Sequence, residues 1–243
     1  VRADAFFTED NMRKIRDYFS RGELMLWGAS VLFITASFLL FDRSNYLTFT
    51  ASLIGATSLI LNAKGNPLGQ LLMVIFSILY GIISYSFRYY GEMITYLGMT
   101  APMAVFALIS WLRHPYKGNR SEVAVNEISS AETVFMLILT AVVTVAFRYI
   151  LGYFGTANLL PSTLSVTTSF MAVYLTFRRS QYYAVAYAAN DVILIILWVL
   201  ASASDKKYVS VAVCFAMFLV NDIYGFISWR RMHRRQLDNY SAM

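Results

Sequence analysis

The dipeptide Asn-Asp occurs twice, as Asn190-Asp191 and Asn221-Asp222, each time inside a long apolar run. Amides and carboxyls are costly in hydrocarbon, so intramembrane polar side chains face a bundle interior or a wet cavity and mark a substrate path. Helical spacing puts Tyr183, Tyr187, Asn190, Leu194 and Trp198 on one stripe, and Met217, Asn221, Tyr224 and Ser228 on another. A third stripe holds Gln70, Ser77, Tyr80 and Ser84. The three supply amides, hydroxyls and flat rings, the groups that hold an aromatic heterocycle joined to a sugar. A cationic heterocycle gains further from ring faces. Interhelical hydrogen bonding, worth about 0.6 kcal/mol per contact, is the alternative role for the same side chains.

Asp191 and Asp222 lie about 100° around their helices from the neighbouring asparagines. Each can carry a coupling proton, complement a cationic substrate or be held by a partner helix. Arg88, Glu92 and Arg148 lie toward one membrane face, where they can form an entrance ion-pair network. Pro102, within Gly98-Met99-Thr100-Ala101-Pro102, is expected to kink its helix and free a carbonyl, as a hinge or as fixed shape. Thr48, Ser52, Thr57, Thr163, Thr167 and Thr168 read as packing residues that bond their own backbone. Trp27, Trp111 and Trp229, near helix ends, read as interface anchors.

Other chemistry lacks its residues. The two histidines, His114 and His233, sit among basic residues at helix ends, and no metal site is expected. There is no Cys pair, no Gly-rich phosphate loop and no Ser-centred nucleophile motif, and no lysine lies deep in the last apolar run. An enzyme is not expected, nor any cofactor. The single cysteine, Cys214, excludes an internal disulfide framework.

The elements that must position the stripes are membrane helices. Of 243 residues, 58% are hydrophobic and 14% charged, at a mean hydropathy of +0.55. A soluble domain carries nearly twice that charge. The net charge of +6 does not point to nucleic acid, because the basic residues sit at the ends of apolar runs. With roughly 20 apolar residues needed per crossing, eight spans are expected, at about 24–41, 47–63, 67–87, 93–112, 132–153, 160–177, 181–201 and 207–229. The polar start, residues 1–23, shows no cleavable leader, and residues 4–21 read as an interfacial helix or a solvated tail. Eight crossings put both termini on one side. Fifteen of the 20 Lys and Arg fall on that side, which the positive-inside rule makes cytoplasmic.

The last seven spans repeat. Ile109-Ser110-Trp111-Leu112-Arg113 closes the third of them and Ile227-Ser228-Trp229-Arg230-Arg231 the seventh. Thr57-Ser58 and Thr168-Ser169 stand inside the first and fifth, each followed by a basic turn at Lys64 or Arg178-Arg179. One linking helix between two three-helix units makes the units parallel, the SWEET-type arrangement, in which substrate binds near the midplane between repeats. The expected fold is all-α and integral to the membrane, with a SWEET-like 3+1+3 core and an extra N-terminal helix. The expected segments are 1–22 (cytoplasmic or interfacial), 23–44 (extra helix), 45–113 (first repeat), 114–158 (loop and linking helix), 159–230 (second repeat) and 231–243 (cytoplasmic tail). The loop 114–131, with Pro115, Gly118 and both charge signs, reads as a simple connection.

In this order and topology the chain resembles the PnuC family of bacterial vitamin transporters. Gly69-Gln70 through Tyr80-Gly81 and Tyr90-Gly91-Glu92 are similar to the family's first repeat, and Tyr183 to Asn190, then Tyr224-Gly225 up to Trp229, to its second. The resemblance implies facilitated diffusion of nicotinamide riboside, trapped by a cytoplasmic kinase for NAD synthesis, through a homotrimer in the inner membrane. Asn190 matches the family's midplane asparagine, but Tyr182, Tyr183 and Tyr187 stand where the family often has two tryptophans. Relatives carry thiamine or deoxynucleosides on the same scaffold, so these remain alternative substrates. The expected contacts are Gln70, Ser77, Tyr80, Asn190 and Asn221 through hydrogen bonds and Tyr183, Tyr187, Trp198 and Tyr224 around the rings. Arg88, Glu92, Pro102, Asp191 and Asp222 are candidates for gating or coupling. A proton-coupled symporter and a receptor that transports nothing are the rival functions.

Overall fold

A computed structural model describes residues 18–156 and 158–241. The expected interfacial segment 4–21 therefore lies mostly outside the described residues. Among these, eight helices are long and apolar enough to cross a membrane. They are α1 (Arg21–Phe41), α2 (Tyr46–Ala63), α3 (Pro67–Ser86), α4 (Tyr90–Arg113), α5 (Ser130–Tyr153), α6 (Leu159–Phe177), α7 (Tyr183–Ser202) and α8 (Tyr208–Ser241).

Local chemistry sets several starts. Ser20 and Glu23 form a reciprocal capping box on α1. Asn66 caps α3 with Pro67 as first helical residue, and Ser129 caps α5. The third helix of the first repeat is not uniform. Tyr96–Thr100 is a π turn inside α4, with Ala101 between it and Pro102. Proline has no N–H to continue the ladder, and the wider turn absorbs the defect.

The two repeats are α2–α4 and α6–α8, with α5 between them. Each repeat's third helix packs on the other repeat's first helix, α8 on α2 and α4 on α6. The turns after α2 and α6 share their closing bonds. Asn66 N donates to Leu61 O at 3.0 Å and Ser180 N to Leu175 O at 2.9 Å. Gly65 and Arg179 occupy the same place with left-handed φ values of 68° and 57°. This superposition pairs Ser58 with Ala172, so the similarity of Thr57-Ser58 to Thr168-Ser169 is out of register by one helical turn.

The Ile-Ser-Trp repeat is where the halves cross. Trp111 Nε1 donates to Thr176 O of α6 at 2.9 Å, and Trp229 Nε1 donates to Asn62 O of α2 at 2.7 Å. The two rings lie 5.3 Å apart and both are fully buried. They are not interface anchors. Burying an indole requires a partner for its N–H, and each finds a carbonyl on the opposite repeat. Trp27 keeps a half-exposed place and bonds Thr57 Oγ1 at 3.1 Å.

The loop after α4 is more than a connection. It forms a hairpin, β1 (Pro115–Tyr116) with β2 (Asn119–Val123), turning through left-handed Lys117 and Gly118. Val123 N then donates to Gly65 O and Asn126 N to Arg179 O, so the segment ties the equivalent turns of both repeats. Helix α8 continues to Ser241 through the residues expected as a tail, because Gln236 bonds the backbone of Val123 and Val125.

Between α2 and α3 a polar ladder runs from Gln70 Nε2 to Asn62 Oδ1 at 2.9 Å, while Ser58 Oγ donates to Gly69 O at 2.8 Å. Gly69 permits this approach. A Cβ there would stand 2.2 Å from Asn62 Oδ1 and 2.7 Å from Asn62 N. Gly69→Ala is expected to cost about 1–3 kcal/mol by overpacking, measured as a lower unfolding midpoint in detergent. An unchanged midpoint would show that the two helices can separate freely.

Candidate functional site

Six helices converge on one cavity at mid-height, and they are the six helices of the two repeats. Leu59 comes from α2, Phe76 from α3, Tyr96 and Thr100 from α4, Ser169 from α6, Tyr187, Asn190 and Asp191 from α7, and Phe218 and Asp222 from α8. Neither the extra helix α1 nor the linking helix α5 contributes to it. The cavity measures about 20 Å³, room for one water molecule.

Asn190 is the best-held polar group in it. Its Oδ1 accepts from Thr168 Oγ1 and Ser169 Oγ, each at 3.0 Å. The single Thr168 hydroxyl proton is shared between Asn190 Oδ1 and the carbonyls of Leu164 and Ser165 on its own helix, where backbone bonding was expected of it. With the amide oxygen committed, the NH2 group is what Asn190 can offer a ligand. Asp191 and Asp222 meet across the α7–α8 interface, carboxyl against carboxyl. Both are buried, and no donor of the protein reaches Asp191 Oδ2. Thr100 Oγ1, also buried, has no hydrogen-bond partner.

The remaining expected contacts are distributed elsewhere. Tyr80 meets Tyr96 in a tilted contact at 4.4 Å and stacks on Phe76 at 5.5 Å, just beyond the cavity wall. Trp198 lies farther out, against Tyr89 and Tyr208 at 4.8 and 5.5 Å. Tyr183 packs on Trp229 at 4.9 Å on the other side of the site. Gln70 belongs to the Asn62 ladder, and Ser77 bonds Met73 O of its own helix. Asn221 faces α1, donating to Ser30 Oγ at 2.8 Å and to Met217 O at 2.7 Å. Tyr224 donates to Glu23 Oε1 of α1 at 2.9 Å, beside the Glu23–Lys64 ion pair. For Gln70, Ser77, Asn221 and Tyr224 the structure thus shows helix-to-helix or backbone bonds.

The entrance network of Arg88, Glu92 and Arg148 is not formed. Glu92 is buried, its Oε2 lacks a partner, and Arg88 and Arg148 are surface residues. Arg88 takes a left-handed φ of 61° in the turn after α3. Every ion pair among the described residues lies near the membrane faces, and none includes Glu92, Asp191 or Asp222.

Tyr96, Phe76, Phe215 and Phe218 line the site without having been singled out in the sequence, and Thr100 and Ser169 line it after being noted only in the proline stretch and the repeat. The glycine-to-proline stretch 98–102 is the signal that marks Tyr96 and Thr100, since a π turn next to a proline aims side chains off the regular helical stripe. Gly55 marks Phe218. A Cβ at Gly55 would stand 2.3 Å from the end of that ring, so the glycine makes room for it.

Eight membrane-crossing helices, six of which enclose a polar and aromatic cavity, make a multi-pass membrane protein whose architecture suits a transporter. Residues 45–231 match the family described as nicotinamide mononucleotide transporter, and the chain belongs to that family. It is 26% identical over 216 residues to the nicotinamide riboside transporter PnuC of Neisseria mucosa, a stretch covering 86% of this chain and 81% of that protein. The crystal structure of the vitamin B3 transporter PnuC has the same fold, with a TM-score of 0.79 at 21% identity over 90% of this chain and 94% of that one.

Proposed function

We propose that this protein carries nicotinamide riboside by facilitated diffusion across the bacterial inner membrane, with both termini in the cytoplasm. The observation that carries this reading is the charge of the cavity. It presents an amide, hydroxyls, aromatic rings and two carboxyls, with no Lys, Arg or His in its lining. A phosphate monoester would meet two acids and no cation there, at a large desolvation cost. The riboside, which has hydroxyls, a carboxamide and a cationic ring but no phosphate, meets complementary groups. The named relative is a riboside transporter. Trapping by a cytoplasmic kinase for NAD synthesis and assembly as a homotrimer belong to the same proposal.

Calorimetric titration of the detergent-purified protein tests it. Nicotinamide riboside is expected to bind, and its 5′-phosphate, thiamine and thymidine to bind at least tenfold more weakly. Tighter binding of the phosphate, thiamine or thymidine would reassign the substrate. The Asp191–Asp222 contact also suits a proton-coupled symporter. Uptake into proteoliposomes that equilibrates equally with and without a pH gradient would decide for facilitated diffusion.

A further inference from the structure

Among the described residues, Asp191 and Asp222 are the two carboxyls of the cavity, and no Lys, Arg or His shares its lining with them. They come from adjacent helices and are 4% and 3% exposed. The ionisable side chains near them, Tyr96, Tyr183, Tyr187 and Cys214, are hydroxyls and a thiol. The described cations are placed elsewhere: Lys64 and Arg178 pair with Glu23 and Glu132 at one face, and Lys207 with Asp205 at the other. Two carboxyls in contact, away from water and without a cation beside them keep their protons rather than carry charge. A cation entering the cavity supplies the opposite charge that lets the pair ionise against it.

The cavity supplies the other half of a cation site. Rings of Phe76, Tyr96 and Phe218 wall it, and ring faces attract a positive charge. Thr100 Oγ1 and Asp191 Oδ2 are buried in the same lining without partners. We propose that the Asp191–Asp222 pair is the counter-ion of the site and makes it select a singly charged cationic ring over an uncharged ring of the same shape. The proposal rests on the transport of a ring-bearing riboside. It adds that discrimination resides in charge and in these two residues, rather than in the fit of sugar and amide alone.

The dihydro form of nicotinamide riboside is the matched probe, since it keeps the sugar and carboxamide but loses the ring charge on gaining a hydride. Calorimetric titration compares the two forms, with thiamine and thymidine alongside, on the parent protein and on Asp191→Asn and Asp222→Asn. The parent is expected to prefer the charged form by at least tenfold, and each Asn variant to bring the ratio close to one. Equal binding of the two forms by the parent overturns the proposal and leaves the substrate assignment standing. So does a preference that survives in both variants, which would place discrimination in the rings. Should a variant fail to fold, the parent comparison still decides. Binding of thiamine, also a ring cation, with neither nicotinamide form and with loss in the Asn variants, would sustain the counter-ion and remove the nicotinamide substrate. Binding of thymidine alone, or of none of the four, removes both.

Discussion

Asn190→Ala is expected to weaken nicotinamide riboside binding by roughly five- to 150-fold, the equivalent of about 1–3 kcal/mol for a polar contact left unmatched. Ser169, and Thr168 with its shared hydroxyl, hold the Asn190 carbonyl from α6, which leaves the NH2 as the group a ligand can take. Loss of the side chain removes that donor and strands Ser169 Oγ, whereas Thr168 keeps its carbonyls at 3.0 and 3.2 Å. Asn221→Ala provides the contrast. Asn221 joins α8 to Ser30 of α1, so its replacement is expected to lower the unfolding midpoint and leave the affinity within about twofold, a margin well below 1 kcal/mol. Calorimetry and thermal unfolding of both variants in the same detergent check the pair. Parent-like affinity in folded Asn190→Ala would remove Asn190 from the site.

Trp229→Ala is expected to destabilise the protein by about 3–5 kcal/mol, the usual range for a buried Trp truncated to Ala. The indole is fully buried among Trp111, Tyr183 and the end of α2. Trp229→Phe keeps most of the ring but drops the bond to Asn62 O, and should cost about 1–3 kcal/mol for the carbonyl left unmatched. Because the two rings touch, Trp111→Phe combined with Trp229→Phe should deviate from additivity. Denaturant or thermal unfolding of the single and double variants measures this. An Ala variant within about 0.5 kcal/mol of the parent, the range of ordinary surface changes, would contradict the cross-repeat bond as a structural tie.

Spans, repeat and the inward placement of Asn190-Asp191 are visible in the sequence because they rest on composition, basic turns and local spacing. The site is less legible, for three physical reasons. Helical periodicity places Asn221 on an inward stripe, but α1 covers that face of α8, and the docking of an extra helix leaves no mark in the periodicity of its neighbour. The π turn Tyr96–Thr100 inserts an offset that a 3.6-residue count does not follow, which hides Tyr96 and Thr100. Trp111 and Trp229 look like interface anchors by position, yet the repeated Ile-Ser-Trp motif already pointed to a symmetric role. That role becomes specific only when each indole N–H is seen on the opposite repeat. Phe76, Phe215 and Phe218 look like any core phenylalanine, and only the meeting of six helices gives them a ligand-facing side.

A cavity of about 20 Å³ also determines what an affinity for this protein means. A riboside cannot enter this arrangement, so the binding-competent form is a different member of the ensemble. The dissociation constant a titration returns is the intrinsic one divided by the fraction of molecules already open. Every tenfold change in that fraction shifts the apparent binding free energy by about 1.4 kcal/mol with no contact altered. Phe218, lodged against Gly55, is one of the rings that wall the closed cavity. A substitution that changes the weight of the open population alters the apparent affinity for every ligand alike.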